Sequence, residues 1–223
     1  MFEDKRYGIN MFFYDISHAI VLLGGNFPPP RKYDIKGNRF KNGIKDGMIV
    51  VGNHISFKDP WLYAAVFSNR RSFFLASELV LRDKIRTFLC THAGCIKIDR
   101  NTADIEAIRK ATALLKAGRM LIVFPEGTLH PGVQSDLGEI KAGAILLANQ
   151  AKVPIIPCYS LKAKHWYNRR TVVIGEPFRI SDHTTKKFLS PASLDELARK
   201  LLDEINECRK VYEELTGGAN GHI

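Results

Sequence analysis

The sequence predicts an α/β domain: a mixed, largely parallel sheet flanked by helices, preceded by an N-terminal amphipathic, membrane-associating helix. Three observations point there. Short apolar runs rich in β-branched and aromatic residues alternate with stretches of helical periodicity. The runs are short and mostly apolar, as buried strands are. Ahead of them, MFFYDISHAIVLLGGNF at residues 11–27 places Phe12, Ile16, Ala19, Ile20 and Leu23 on one helix face.

That first segment is too short to span a bilayer, and Asp15 and His18 interrupt it. It lacks the clean apolar centre and small-residue cleavage site of a signal peptide. Two readings of it stay open: a helix lying in a membrane interface, or one packed on the domain core. Gly24, Gly25 and the prolines at 28–30 read as a linker. Residues 1–30 are therefore an N-terminal segment and 31–223 the main domain. Strands are expected at 48–51, 73–76, 95–98, 121–124, 155–159 and 171–174. Between them Ile105, Ile108, Thr112 and Leu115 recur at helical spacing, with Asn101 or Thr102 as cap. Residues 144–148 lie in another helix. In the last helix Ser193 and Glu196 form a capping-box pattern. Leu197, Leu201, Ile205, Cys208 and Leu215 line one face, and Gly217-Gly218 stops it.

The 223 residues suit one domain with an appendage, and 45% hydrophobic with 25% charged is an ordinary globular mixture. The net charge of +10 favours an anionic partner: nucleic acid, an anionic membrane surface or a phosphorylated substrate. The basic residues are scattered rather than interleaved with aromatics on one element, so nucleic acid is not expected. None of the four cysteines, Cys90, Cys95, Cys158 and Cys208, forms a CxxC pair or shows zinc spacing. They read as reduced thiols of a cytosolic compartment, and no metal site is expected.

Candidate chemistry begins at NHISFKDP, residues 53–60, directly after an expected strand. A spacing of five residues sets His54 and Asp59 roughly 140° apart on a helix, so only a turn brings them together. Asp59 precedes Pro60 and suits the N-cap of the following helix. The functional reading pairs the two: histidine suits proton transfer near neutrality, and a carboxylate on Nδ1 fixes its tautomer. His54 would then take a proton from an alcohol, with no serine nucleophile required. Three further stretches follow: GCIKIDR at 94–100, FPEGT at 124–128 and VPIIPCY at 153–159. Each alone has a plain structural explanation.

Together, in this order, NHISFKD, GCIKIDR, FPEGT and VPIIP resemble the marks of the glycerophospholipid acyltransferase family, NHxSxxD, GxIxxDR, FPEGT and a VPIxP strand. The resemblance covers about residues 35–180 and is strongest toward the 1-acylglycerol-3-phosphate (lysophosphatidate) acyltransferase branch. Cys95 and Lys97 stand where the family varies. The resemblance makes 31–223 an acyltransferase domain. It implies that His54 is the general base and that Asp59 orients it. It assigns Arg100 to the acceptor phosphate, and Glu126, Gly127 and Thr128 to the acceptor site. Pro154, Ile156 and Pro157 would shape the pocket. The implied substrates are lysophosphatidate and an acyl-CoA or acyl carrier protein thioester, with no cofactor. The implied location is the cytoplasmic face of a membrane, peripheral or monotopic. Rival readings are the same transfer to glycerol 3-phosphate or another lysophospholipid, and a non-enzymatic basic membrane-binding module. Thioester hydrolysis ranks low, because no GxSxG elbow is present.

Overall fold

The apolar run Met48–Gly52 forms the strand around which the domain is arranged, and all five of its residues are buried. The computed structural model describes residues 3–4, 9–10, 15–16, 19, 29–35, 46–56, 58–77, 94–98, 104–126, 140–161, 169–186 and 188–216. Strands β1 (Glu3–Asp4) and β2 (Ile9–Asn10) pair antiparallel as a separate two-stranded ladder. Then come β3 (Arg31–Asp34), β4 (Met48–Gly52), helix α1 (Asp59–Val66), β5 (Ser72–Ser77) and β6 (Cys95–Ile98). They are followed by α2 (Ile105–Lys116), β7 (Met120–Val123), α3 (Gly143–Ala151), β8 (Ile155–Tyr159), β9 (Thr171–Ile174), a 3-10 turn (Ile180–Asp182) and α4 (Pro191–Thr216).

Among the described residues the main sheet has seven strands in the order β3-β9-β8-β4-β7-β5-β6. The five from β8 to β6 run parallel, while β9 is antiparallel to β8 and parallel to β3. The sheet is thus mixed and largely parallel, as expected. Alternation along the strands divides the core. Ile49, Val51, Leu121, Ile155, Tyr159 and Val173 pack with α2, α3 and α4 on one face. Met48, Val50, Met120, Ile122, Ile156 and Cys158 pack with Leu62, Tyr63, Ala64 and Val66 of α1 on the other. A strand covered on both faces needs an unbroken apolar run, which is why these strands were readable.

All six expected strands are present, β7 beginning and ending one residue early. The seventh, β3, reads RKYD and is largely exposed at the sheet edge, so it carries no apolar signature. Pro157 sits inside β8, an unusual place for a residue without an N–H. Its carbonyl accepts the Gly175 amide at 2.8 Å, but it has no N–H with which to return that bond. Regular β8–β9 pairing is confined to Cys158 and Tyr159.

Helix ends correct three expectations. The cap of α2 is Asp104, whose Oδ1 accepts the Ala107 amide at 2.9 Å; Asn101 and Thr102 lie outside the described residues. The packed stripe of α2 is rotated toward Ala107, Ala111 and Leu114, leaving Ile105 75% and Ile108 37% exposed, while Thr112 and Leu115 are buried. In α4 the cap is Ser190, whose Oγ accepts the Ser193 amide at 3.3 Å, with Pro191 as first helical residue. Glu196 instead pairs with Lys200 at 2.7 Å, because the helix begins one turn before the expected box. Leu197, Leu201, Ile205 and Cys208 are buried as expected; Leu215 is partly exposed, and Tyr212 extends the stripe.

In the N-terminal segment Asp15, Ile16 and Ala19 are helical and exposed. Arg71, just ahead of β5, donates to the Asp15 carboxylate through Nε at 3.1 Å and Nη2 at 2.7 Å. Phe12, Ile20 and Leu23 lie outside the described residues. Among the described residues no helix is long and apolar enough to cross a membrane.

Gly47 enters β4 directly beneath the end of α2. A Cβ there would overlap the Leu115 carbonyl oxygen, a backbone atom that cannot turn aside. Gly47→Ala is expected to lower stability by about 1–3 kcal/mol, as overpacking does. Chemical denaturation at unchanged slope measures it; an unmoved midpoint would show that the strand entry has slack.

Candidate active site

Asn53 and His54 leave the carboxyl end of β4, the end beyond which parallel sheets bind ligands. Register places Val51 opposite Val123 of β7 and Gly52 opposite Cys158 of β8. Three segments therefore emerge side by side: Asn53-His54, Phe124-Pro125-Glu126 and Ser160-Leu161.

The turn after β4 brings His54 to Asp59. His54 Nδ1 lies 3.2 Å from Asp59 Oδ2. The same oxygen accepts the backbone amides of Ile55 at 2.7 Å and Ser56 at 2.6 Å. Asp59 is thus the first residue of α1 and folds back over residues 54–56. It is not the N-cap: that position is Lys58, and it makes no side-chain cap bond. Asp59 is 0% exposed. Burial raises its pKa, but the bonds from His54, Arg170 and Ser56 outweigh burial and hold it below the usual carboxylate range. An ionised carboxylate can only accept, so the His54 proton is assigned to Nδ1. Nε2 is then the basic nitrogen. The imidazole stacks on Phe124, with centroids 4.1 Å apart and planes 17° apart, and its side chain stays 18% exposed.

A second layer of polar contacts fixes the strand ends. Asn53 is buried. Its Nδ2 donates to the Ser160 carbonyl at 2.7 Å, and its Oδ1 accepts the Ser160 amide at 3.1 Å. The amide side chain thus carries the β4–β8 ladder beyond the strand. Tyr63 of α1 donates its hydroxyl to the same Oδ1 at 3.1 Å. Burial pushes the Tyr63 phenol well above its ordinary pKa, which keeps it a donor. A Cβ at Gly52 would overlap that hydroxyl, so glycine is what lets Tyr63 reach Asn53.

Arg170, immediately ahead of β9, completes the cluster. Its Nη1 donates to Asp59 Oδ1 at 2.8 Å, Nε to the Leu161 carbonyl at 3.0 Å and Nη2 to Ser160 Oγ at 3.4 Å. Nothing in its sequence neighbourhood marks it: it is one of two adjacent arginines, 111 residues from Asp59. Asn53 and Phe124 stand inside the quoted stretches, but the contacts that give them a role depend on strand register.

The other expected site residues are distributed as follows. Glu126 is buried at the carboxyl end of β7, two residues past Phe124. Arg100, Gly127 and Thr128 lie outside the described residues. Pro154 stands at the amino end of β8, where its carbonyl accepts the Ile49 amide at 3.0 Å. Ile156 is fully buried in the core on the α1 face, and Pro157 is level with Val51 in mid-strand. The fold therefore brings His54 and Asp59 together, sets Glu126 at the same end of the sheet, and places Pro154, Ile156 and Pro157 along β8 within it. Among the described residues no group of three or more His, Cys, Asp or Glu is arranged to hold a metal. Cys95, Cys158 and Cys208 are free thiols.

The chain is 28% identical over 187 residues to 1-acyl-sn-glycerol-3-phosphate acyltransferase of Streptococcus pneumoniae, a match covering 78% of this chain and 66% of that protein. It is 33% identical over 118 residues to a probable 1-acyl-sn-glycerol-3-phosphate acyltransferase of Mycoplasma genitalium, covering 51% of this chain and 43% of that one. The chain thus spans between two fifths and two thirds of the length of these relatives. Its fold resembles the crystal structure of the 1-acyl-sn-glycerophosphate (LPA) acyltransferase PlsC from Thermotoga maritima. There the TM-score is 0.61 at 19% identity, over 95% of this chain and 84% of the other. A family model described as Acyltransferase matches residues 31–161, more than half of the 223, and takes in β3 to β8 with His54, Asp59, Arg100 and Glu126: the chain belongs to the acyltransferase family.

Proposed function

We propose that this protein transfers a fatty acyl group from a thioester to the sn-2 hydroxyl of 1-acylglycerol 3-phosphate, giving phosphatidic acid. The observation that carries the reading is His54 held through Nδ1 against the buried Asp59, with Nε2 left as the base. The names of the relatives support the choice of acceptor. The donor is acyl-CoA or acyl carrier protein.

The steps balance without an acyl-enzyme. Nε2 takes the hydroxyl proton as the acceptor oxygen attacks the thioester carbonyl carbon. The tetrahedral adduct collapses, the carbon–sulfur bond breaks, and the imidazolium returns its proton to the departing thiolate. Asp59 stabilises the imidazolium between these events. The thioester is already activated, so the reaction draws on no metal or cofactor. Arg100 takes the acceptor phosphate, since a guanidinium contacts two oxygens at once. Gly127 and Thr128 complete the acceptor site. Glu126 does not face the phosphate itself, because like charges repel; it binds a glycerol hydroxyl or holds Arg100. The lipid acceptor resides in a bilayer, so the enzyme works at the membrane surface. Residues 8–27 and surface lysines and arginines are the anchor, each basic side chain contributing about 1 kcal/mol near anionic headgroups.

His54→Ala is expected to lower transfer from long-chain acyl-CoA to lysophosphatidate by at least about 100-fold, with the fold retained by circular dichroism. Activity within a few-fold of wild type would sink the mechanism, and a panel including glycerol 3-phosphate and other lysophospholipids tests the acceptor. Arg100→Lys is expected to raise the KM for the phosphorylated acceptor more than it lowers kcat. Unchanged acceptor kinetics would remove Arg100 from that role. Flotation with anionic liposomes should retain the full chain and lose a chain lacking residues 1–27. Equal flotation of both would locate the anchor elsewhere.

A further inference from the structure

We propose that Arg170 is a positioning residue for His54, acting through Asp59. Its guanidinium holds the carboxylate in the one orientation that keeps the His54 proton on Nδ1 and the Nε2 lone pair facing substrate. The proposal rests on His54 being the base of the reaction described above.

Three features of the cluster lead to this assignment. The two Asp59 oxygens have separate tasks: Oδ2 faces His54 and the two turn amides, while Oδ1 takes Arg170. Without a partner on Oδ1 the carboxylate is held through Oδ2 alone, by the two turn amides, and nothing fixes the tilt of its plane toward the imidazole. Arg170 is itself held by two other groups, the Leu161 carbonyl and Ser160 Oγ, both just past β8. The fork therefore ties the start of α1 to the end of β8, and Asp59 takes its orientation from the sheet. Finally, the pair is poorly hydrated: Arg170 is 17% and Asp59 0% exposed. In such a place a carboxylate deprived of its cation is driven toward its neutral form, which no longer attracts the imidazole proton. Arg170 is among the groups that keep Asp59 ionised against its burial.

Lysine does not replace this fork. Its single ammonium carries the charge but cannot reach Asp59, Leu161 and Ser160 with fixed planar geometry. The neighbouring phenols, Tyr63 and Tyr212, are the same in every variant considered, so differences report on position 170.

The test uses wild type, Arg170→Gln, Arg170→Lys, Asp59→Asn and the Arg170→Gln/Asp59→Asn double variant, each checked for folding by thermal denaturation. Long-range proton–nitrogen correlation of the imidazoles, with His54 assigned from the His54→Ala spectrum, reads the tautomer without any substrate. Wild type should show a single Nδ1–H tautomer, and folded Arg170→Gln and Arg170→Lys should show mixed tautomers. In acyl transfer to lysophosphatidate, Arg170→Gln should lower kcat about 10- to 100-fold, with both KM values within two-fold. In the Asp59→Asn background the same change should cost less than about two-fold, because the group it acts through is already gone. Arg170→Lys, the milder change, should lie between wild type and Arg170→Gln. A single unchanged tautomer in a folded Arg170 variant overturns the proposal, as do losses that simply multiply in the double variant. Absence of lysophosphatidate transfer by wild type would overturn the choice of acceptor but leave the tautomer result to decide the role of Arg170.

Discussion

One buried carboxylate organises this site. Asp59 accepts from two backbone amides, faces an imidazole and binds a guanidinium, all at 0% exposure. An isolated carboxylate in such a position would be strongly destabilising. The ring of donors makes it tolerable, and the donors come from two separate pieces of chain. The turn after β4 supplies the amides and the histidine, and the segment before β9 supplies the arginine. The requirement to satisfy one charge thus fixes the relative positions of the β4 exit, the α1 start and the β9 entry.

The sheet gives that charge a rigid surround. Adjacent parallel strands end at matched register, which aligns Asn53, Phe124 and Ser160 along one rim. Asn53 then behaves as an extra rung of the ladder, bonding both backbone groups of Ser160. Tyr63 reaches Asn53 from the helix below because Gly52 leaves room. Phe124 presents a flat face against the His54 ring. The imidazole is therefore bounded by an aromatic on one side and a carboxylate at Nδ1, and its remaining freedom is small. Such preorganisation is what proton transfer to a fixed nitrogen needs.

The strands were legible because strands buried on both faces must be apolar at every position, and MIVV and IIPCY are nearly so. The exposed edge strand RKYD escaped for the complementary reason: only one side of its backbone is paired, and its side chains face water. Helix faces were less secure. Ile105 and Ile108 looked like core residues, but the packed stripe of α2 is formed by Ala107, Ala111, Thr112, Leu114 and Leu115. Caps slipped by two residues or a full turn, because Ser, Asn, Thr and Asp near a helix start all offer an acceptor and only the chain path selects one.

His54 and Asp59 could be named from residue type, spacing and the company of GCIKIDR and FPEGT, since the chemistry demands a base beside a carboxylate. The α/β architecture and the order of its strands along the chain are determined locally by composition and periodicity, whereas the roles of His54 and Asp59 were legible through the resemblance to the acyltransferase motifs. The turn that folds Asp59 back onto His54 is local and was expected. The stacking of Phe124, the Asn53 rung and above all Arg170 were decided by tertiary structure, because they depend on packing between segments far apart in sequence. A contact across 111 residues leaves no periodic trace in either segment. It exists because a buried charge must find its partner wherever the fold brings one within reach.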